Sequence, residues 1–322
     1  MMRMKPILLD CDTGVDDSLA ILLAMRSPEL RVEAITTVGG NTQVDHAARN
    51  TLLTLEQLAQ DALPPVAKGE ANPIERPLFT ALEVHGGDGL GGVTRILEPD
   101  GSRRYPEPRL GLEPRHGVDL LLDTIGRFPD ELTLIATGPL TNVARAIIRN
   151  PARMRRLREI LIMGGAFRVY GNTTPVAEFN IFVDPHAAQI VLDCGVPVTL
   201  VPLDVTHQVC LMQSEVNAIE VEGRLARFVR DVTREYTEYH IEQDGFAGCY
   251  LHDPITVALA IDPTLLESVE AYVQVETAGD LTLGQTVADL RPGRSTHTNA
   301  RVCTGIDAER FLTLFRNRVL SR

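Results

Sequence analysis

The sequence predicts an α/β fold in which a mostly parallel, Rossmann-like central sheet is flanked by helices. Short apolar runs alternate with helical patterns, which is typical of repeated βα units. Glycine and polar residues follow directly after these runs. The chain has 322 residues, and we expect one large domain over residues 1–322. In such folds a ligand site lies at the carboxyl ends of the strands.

The elements follow one another in a regular order. The first two strands are expected at residues 6–9 and 32–38, and the helices after them at 17–26 and 43–59. Three more buried strands are expected at 132–136, 160–163 and 198–201, with helices at 140–149 and 185–192. Residues 71–114 are rich in Gly, Pro and charge, which indicates a long functional loop region.

Charge and cysteine content limit the partners and the compartment. There are 43 acidic and 31 basic residues, a net charge of −12, so we expect neither a nucleic-acid partner nor an anionic membrane. The five cysteines are scattered, which disfavours both a disulfide framework and a Cys-ligated zinc site. The first apolar run ends at Asp10, too early for a signal-peptide core. These features favour the cytoplasm.

Four aspartates lie within eight residues after the first strand: Asp10, Asp12, Asp16 and Asp17. Like charges this close oppose folding unless protons or a cation compensate them. Asp16 or Asp17 could instead cap a helix that begins at Ser18, but capping cannot use all four carboxylates. A hard cation with oxygen ligands explains the cluster, and Ca²⁺ binds six to eight such oxygens.

Two further groups of polar residues are candidates for the same site. Asp253 could cap a helix that has Pro254 at its first position and still direct one oxygen toward the site. Glu178 and Asn180 have the spacing of strand residues that share one face. Beside an acidic edge, these amides and carboxylates indicate a surface that binds the hydroxyl groups of a sugar.

Six segments, taken in order, resemble the ribonucleoside hydrolase family and cover about residues 5 to 260. They are residues 7–17 (ILLDCDTGVDD), 34–41 (AITTVGGN), 85–90 (HGGDGL), 137–142 (TGPLTN), 175–180 (PVAEFN) and 252–254 (HDP). The resemblance implies hydrolysis of the N-glycosidic bond of inosine, uridine and related ribonucleosides. It also implies a role in purine and pyrimidine salvage and a homo-oligomer, either a dimer or a tetramer.

The resemblance also implies a role for each candidate residue. It assigns a bound Ca²⁺ to Asp12, Asp17, Asp253 and the main-chain carbonyl of Thr137, with Asp12 also deprotonating the attacking water. It assigns the ribose hydroxyls to Asp16 and Asn180, the 5′ side to Asn172 and Glu178, and the ribose end of the pocket to Asn41. Asp10 would lie behind the ligands and orient them.

The leaving base needs its own partners. His252, next to Asp253, is the first candidate to protonate it and His85 is the second, although an isolated histidine is more often structural. Tyr236 and His240, one helical turn apart, could contact the base or could belong to an ordinary amphipathic helix. The chain has no tryptophan, which disfavours the purine-specific members that stack the base between tryptophans.

Two other functions fit part of the sequence. Asp10-Cys-Asp-Thr also resembles the haloacid-dehalogenase-like phosphatases, with Asp10 as the nucleophile and Mg²⁺ as the cofactor. Phosphoryl transfer needs a positive clamp, however, and the chain has only two lysines, Lys5 and Lys68. The other alternative is a non-catalytic nucleoside-binding or calcium-binding protein on the same fold.

Overall fold

The computed structural model describes residues 4–60, 62–218, 223–291 and 297–320. One domain over residues 1–322 stays a prediction, and its first three and last two residues lie outside the described ranges. In the part of the chain that is described, no helix is both long and apolar enough to cross a membrane.

The strands and helices alternate through the first 200 residues, as the sequence predicts. The strands are β1 (Lys5–Cys11), β2 (Leu30–Thr37), β3 (Val66–Lys68), β4 (Thr133–Ala136), β5 (Glu159–Met163), β6 (Val198–Val201), β7 (Cys210–Met212), β8 (Gly248–Tyr250), β9 (Leu266–Ala271), β10 (Val273–Val275), β11 (Thr286–Ala288) and β12 (Ala300–Ile306). The helices are α1 (Val15–Met25), α2 (Val44–Glu56), α3 (Leu82–His85), α4 (Gly117–Arg127), α5 (Thr141–Arg149), α6 (Pro151–Met154), α7 (Phe179–Val183), α8 (Pro185–Leu192), α9 (Leu203–Thr206), α10 (Gln213–Ala218), α11 (Arg224–Gln243), α12 (His252–Ile261) and α13 (Ala308–Phe315).

Eight strands form the central sheet, in the order β3-β2-β1-β4-β5-β6-β12-β9. The neighbours are parallel except for the edge strand β9, which is antiparallel to β12. The predicted fold class is therefore confirmed. The first six strands have the order 3-2-1-4-5-6, whose direction of winding reverses between β1 and β4. A crevice opens at this switch point, beyond the carboxyl ends of the two strands.

The core fixes β1 at the centre of the molecule. Leu9 pairs with Ile35 of β2 on one side and with Ile135 of β4 on the other, and all three are buried. Helix α1 is buried along nearly its whole length, because it packs on α12 as well as on the sheet. After its polar first turn the helix is almost wholly apolar, which is typical of such a central position.

The first helix begins earlier than the sequence pattern suggests. Helix α1 starts at Val15 with Gly14 as its N-cap, and the Asp17 carboxylate accepts a hydrogen bond from the Gly14 amide at 2.9 Å. The expectation that Asp16 or Asp17 caps a helix beginning at Ser18 is therefore wrong. Both aspartates lie inside the first turn, which places them at the floor of the crevice.

Two other local expectations are wrong. Helix α12 starts at His252 with Leu251 as its N-cap, so Asp253 is not the cap and Pro254 is not the first helical residue. Glu178 and Asn180 do not lie in a strand, because Glu178 caps the short helix α7. Helical and extended patterns of five residues or fewer are difficult to distinguish in sequence.

Residues 71–114 form the expected long loop region, with only short helical turns at 82–85 and 93–95. This region is held against α11. Arg95 pairs with Glu235, and Arg104 pairs with Asp231. Gly91 has φ +65° and approaches so closely that a Cβ there would lie 2.2 Å from the carbonyl oxygen of Val232.

We expect Gly91→Ala to destabilise the protein more than the matched substitution Gly101→Ala. Gly101 also has a positive φ, +83°, but a Cβ there would have no neighbour within 4 Å. Both variants carry the left-handed strain, about 1–2 kcal/mol, and only Gly91→Ala also displaces α11. Free energies of unfolding from urea titration measure the difference, and equal losses would show that α11 is not held at this point.

Candidate active site

The crevice is a cavity of about 770 Å³ at the carboxyl ends of β1 and β4. Eleven of the residues singled out from the sequence line it: Asp16, Asn41, His85, Thr137, Asn172, Glu178, Asn180, Tyr236, His240, His252 and Asp253. Asp10, Asp12 and Asp17 are buried and do not line it. Residues from distant parts of the chain therefore meet at the switch point.

The floor of the cavity is a group of buried carboxylates. One oxygen each of Asp16, Asp17 and Asp253 lie within 4.8 Å of one another. Asp16 lies beside Asp253, and Asp12 lies beside Asp17. Burial and mutual repulsion raise the pKa of Asp16 to about 7 and the pKa values of Asp12 and Asp253 well above their usual range. The carboxylates are thus too close together to ionise without compensation.

The donor set fits a hard divalent cation. Asp12 Oδ2 accepts a hydrogen bond from the Asn41 amide, but Asp12 Oδ1 is buried and has no partner among the described residues. None of the described residues that line the cavity is a lysine or an arginine. Oxygen ligands without a positive side chain are typical of Ca²⁺ and Mg²⁺ sites. A cation would satisfy the unpaired oxygen and offset the repulsion together.

Thr137, which follows β4, connects the floor to the ribose-binding candidates. Its hydroxyl donates a hydrogen bond to Asp17 Oδ1 at 2.7 Å, and its carbonyl accepts one from Asn180 Nδ2 at 2.8 Å. Asn180 Nδ2 also donates to the carbonyl of Met163 at 3.2 Å. Because its nitrogen is used twice, Asn180 has its carbonyl oxygen left to accept a hydrogen bond from a ligand.

Asp10 supports the floor from behind. Its Oδ1 accepts hydrogen bonds from the Thr36 hydroxyl and from Asn142 Nδ2, and burial raises its pKa to about 6. Asp10 is 1% exposed and does not reach the cavity. A phosphatase nucleophile needs access to substrate and a positive clamp, so the structure does not support the phosphatase alternative.

Backbone groups already hold the polar side chains on the other side of the cavity. Glu178 accepts hydrogen bonds from the amides of Asn180, Ile181 and Gly165, and burial still raises its pKa to about 7. Asn172 Oδ1 accepts one from the Phe179 amide at 2.9 Å. These contacts fix both side chains before any ligand binds, and both residues line the cavity.

The opposite end of the cavity is aromatic. His85 stacks on Tyr236 at 5.5 Å and accepts a hydrogen bond from the Val15 amide, and burial lowers its pKa to about 3. His252 Nδ1 lies 2.7 Å from the Thr206 hydroxyl, and burial also lowers its pKa well below the usual range. Both histidines are therefore neutral at pH 7.

Sequence reasoning missed several residues of this aromatic end. His207 and Tyr250 line the cavity, and their rings lie 5.5 and 5.3 Å from the ring of His252. Tyr250 precedes His252 by two residues, a spacing that could have drawn attention to it. His207 follows the short helix α9 and carries no local signal. Phe79 and Tyr170, at the mouth, were also missed.

The doubly wound sheet, the carboxylates at its switch point and the amides beside them fit a metal-dependent hydrolase of N-glycosyl bonds, the class that similarity to known proteins shows. Residues 7–313 match the family model described as inosine-uridine preferring nucleoside hydrolase. The chain belongs to this family, and it hydrolyses ribonucleosides to ribose and free base.

The similarity to known nucleoside hydrolases extends over nearly the whole chain. Pyrimidine-specific ribonucleoside hydrolases (RihA) of Citrobacter koseri and Escherichia coli are 40% and 39% identical, with 98% of this chain aligned to 97% and 98% of theirs. Among solved structures, the plant nucleoside hydrolase PpNRh1 is 32% identical, with a TM-score of 0.88 over 99% of this chain and 100% of that one. The purine-preferring ribonucleoside hydrolase of Gardnerella vaginalis is also 32% identical, with a TM-score of 0.88 over 98% of both chains.

Removing one charge from the floor should stabilise the metal-free protein. We expect Asp16→Asn to raise the melting temperature in excess chelator, with a gain of about 1 kcal/mol, because an amide of the same shape relieves buried repulsion. Asp45→Asn, at an exposed pair with Lys68, is the matched control and should have little effect. A lower melting temperature for Asp16→Asn in chelator would contradict this view of the floor.

Proposed function

We propose that the protein hydrolyses pyrimidine ribonucleosides, uridine and cytidine ahead of inosine, with one Ca²⁺ held by the floor carboxylates. The observation that carries the metal site is the buried Asp12 Oδ1, which has no partner among the described residues, beside a cavity whose described lining residues include no lysine or arginine. The base preference is supported by the curated relatives, whose names describe them as pyrimidine-specific.

The proposed ligands are the carboxylates of Asp12, Asp17 and Asp253 and the main-chain carbonyl of Thr137. These four groups leave room for a water and for the ribose 2′- and 3′-hydroxyls in a site of six to eight oxygens. A bound divalent cation lowers the pKa of a water and offsets the charge of the carboxylates.

The ribose is held by side chains that the fold has already oriented. Asp16 lines the cavity beside Asp253 and accepts a hydrogen bond from one ribose hydroxyl, and the free oxygen of Asn180 accepts one from the other. The side-chain amide of Asn41 donates a hydrogen bond to Asp17 Oδ2 at 3.2 Å, and this contact closes the ribose end of the pocket. Fixed partners avoid the entropy of ordering side chains at the moment of reaction.

Asp12 acts as the general base. Oδ1 serves as the proposed ligand, and the Asn41 amide uses one lone pair of Oδ2, so the second lone pair of Oδ2 is left to take the proton of the attacking water. Cleavage of an N-glycosidic bond passes through an oxocarbenium-like state with positive charge at the sugar. The negative field of the floor stabilises that charge as it develops.

His252 and His85 assist the departing base. Their neutral rings donate or accept one hydrogen bond at each nitrogen. Thr206 occupies Nδ1 of His252, so Nε2 is left for the base. Tyr236 and His240 also line this part of the cavity and contact the base.

Asn172 and Glu178 receive the 5′-hydroxyl. Glu178 brings negative charge to this side of the cavity, although its three amide donors offset part of that charge. The site therefore favours a nucleoside over its 5′-phosphate, which would carry nearly two negative charges into a pocket without lysine or arginine among its described lining residues.

The cellular setting is also part of the proposal. The net charge of −12 and the scattered cysteines favour a cytoplasmic enzyme of nucleoside salvage with no nucleic-acid or membrane partner. The resemblance to ribonucleoside hydrolases supports a homo-oligomer, a dimer or a tetramer. Sedimentation analysis measures that state directly.

The first test measures ribose released from uridine, cytidine and inosine before and after treatment with chelator. We expect activity on the two pyrimidines to exceed that on inosine, to disappear on chelation and to return with Ca²⁺. Elemental analysis should find one calcium per chain. Zinc in the active enzyme, or full activity without metal, would overturn the metal assignment. Binding of uridine without ribose release would favour the non-catalytic alternative.

Asp12→Asn keeps the shape of the side chain but removes the proton acceptor. We expect turnover to fall by about 10² to 10⁴-fold, the usual cost of losing a general base. Because Asp12 is also a proposed ligand, calcium content and circular dichroism of the variant must be measured beside its activity. A variant that retains calcium and nearly wild-type turnover would show that another residue activates the water.

His252→Ala separates assistance to the base from binding of the sugar. We expect a loss of about 10²-fold or more on inosine and a smaller loss on p-nitrophenyl riboside, whose leaving group departs without a proton. Values of kcat for both substrates measure the difference. Equal losses on both would remove His252 from the leaving-group role.

A further inference from the structure

One nitrogen of His252 is bound by a threonine that has no other assigned role in the protein. The Thr206 hydroxyl lies 2.7 Å from His252 Nδ1, although the two residues are far apart in the sequence. Thr206 is the last residue of the short helix α9 and is completely buried. Its hydroxyl makes no other hydrogen bond among the described residues. The contact with His252 is therefore the one polar use that this part of the chain makes of the side chain.

Thr206 differs in this respect from other threonines in the helices of the protein. The hydroxyls of Thr124 and Thr233 each donate to the main-chain carbonyl four residues earlier, at 2.8 Å. The equivalent carbonyl for Thr206 is that of Pro202, and it accepts only the main-chain amide of Thr206. The usual local partner of a helical threonine is thus not used. The hydroxyl is left for His252.

The direction of this hydrogen bond follows from the single hydrogen of the hydroxyl. If His252 Nδ1 donated, the hydroxyl hydrogen of Thr206 would be buried without an acceptor. If Thr206 donates, its oxygen only keeps spare lone pairs. A buried donor without a partner is costly and rarer than an acceptor with an unused lone pair. Thr206 therefore donates, and Nδ1 of His252 accepts.

A lone pair on Nδ1 places the hydrogen of the ring on Nε2. A neutral imidazole carries one hydrogen, so the nitrogen opposite the acceptor is the donor. Nε2 makes no hydrogen bond to a described residue, and His252 lines the cavity. The rings of Tyr250 and His207 lie 5.3 and 5.5 Å from the imidazole and limit its rotation. His252 thus presents a fixed N–H donor to a ligand.

We propose that Thr206 is a positioning residue that holds His252 in the tautomer with its hydrogen on Nε2, so that this N–H donates a hydrogen bond to the departing base. This inference rests on the proposed function. The base gains negative charge as the glycosidic bond breaks, so an oriented donor stabilises the transition state more than the bound substrate. The ring keeps its hydrogen, and the proton that the base finally gains is the one that the attacking water releases.

Thr206→Val removes the hydroxyl and retains the shape of the side chain. We expect kcat for uridine to fall about tenfold, the change that corresponds to one neutral hydrogen bond. The loss on p-nitrophenyl riboside should be smaller, because its leaving group is stable as an anion. Thr206→Ser retains a hydroxyl and should restore most of the activity on uridine.

NMR spectroscopy of isotopically labelled histidine nitrogens measures the tautomer directly. The signals of His252 are identified by their absence in His252→Ala. We expect the hydrogen on Nε2 in wild type and in Thr206→Ser, and a mixture of tautomers in Thr206→Val. The matched control is Thr124→Val, which removes a buried hydroxyl away from the cavity lining. It should leave the His252 signals and the ratio of the two activities unchanged.

A double variant tests whether Thr206 acts through His252. If it does, Thr206→Val should cause no further loss on uridine when it is added to His252→Ala. A further loss of about tenfold would mean that Thr206 acts by another route, and would overturn the inference.

Other outcomes separate this inference from the proposed function. A hydrogen on Nδ1 of His252 in wild type, or equal losses on both substrates in Thr206→Val, would overturn the role of Thr206 and leave nucleoside hydrolysis intact. A wild-type enzyme that hydrolyses inosine but not uridine would instead overturn the proposed base preference, and the same comparison would then use inosine. Thermal unfolding of each variant confirms that folded protein is compared.

Discussion

The structure depends on one electrostatic constraint, the burial of several carboxylates at the switch point of the sheet. Asp12, Asp16, Asp17 and Asp253 are each at most 5% exposed, and no lysine or arginine is found among the described residues of the adjoining cavity. Such a cluster raises the free energy of the folded protein unless protons or a cation compensate it. Burying uncompensated charge is unfavourable for stability, but in the proposed mechanism it would place a metal and a general base next to the sugar.

The surrounding residues partly offset the unfavourable free energy of burying these carboxylates. Neutral donors surround the carboxylates: Thr36 and Asn142 hold Asp10, and Thr137 holds Asp17. The backbone also approaches unusually closely, since a Cβ at Gly40 would lie 2.1 Å from Asp12 Oδ2. Only glycine allows this contact. Hydrogen-bond donors without charge orient the carboxylates and leave their negative field available to a cation.

The two ends of the cavity differ in their physical character. The proposed ribose end carries the carboxylates and is attached to the sheet through β1 and β4. The proposed base end is lined mainly by aromatic rings, and it is carried by α11, α12 and the loops beside them. Helix α11 is fixed by contacts with residues 71–114, including Arg95–Glu235 and Arg104–Asp231.

The sequence by itself determined the alternation of strands and helices, the aspartate cluster and the family, because these depend on local periodicity and on short contiguous motifs. The strand at Val198–Val201 and the helix at Pro185–Leu192 have the predicted bounds. Helix starts were less accurate, because the cap at Gly14 has no side-chain signal and Leu251 is an unusual cap. Only the tertiary structure decided how the base end is assembled. His207, Tyr250 and the Asp244–His240 pair become neighbours through the packing of α9, β8, α11 and α12, and contacts between separate elements have no fixed spacing in the chain. For the same reason, only the structure shows that Nε2 of His240 is buried without a hydrogen-bond partner among the described residues.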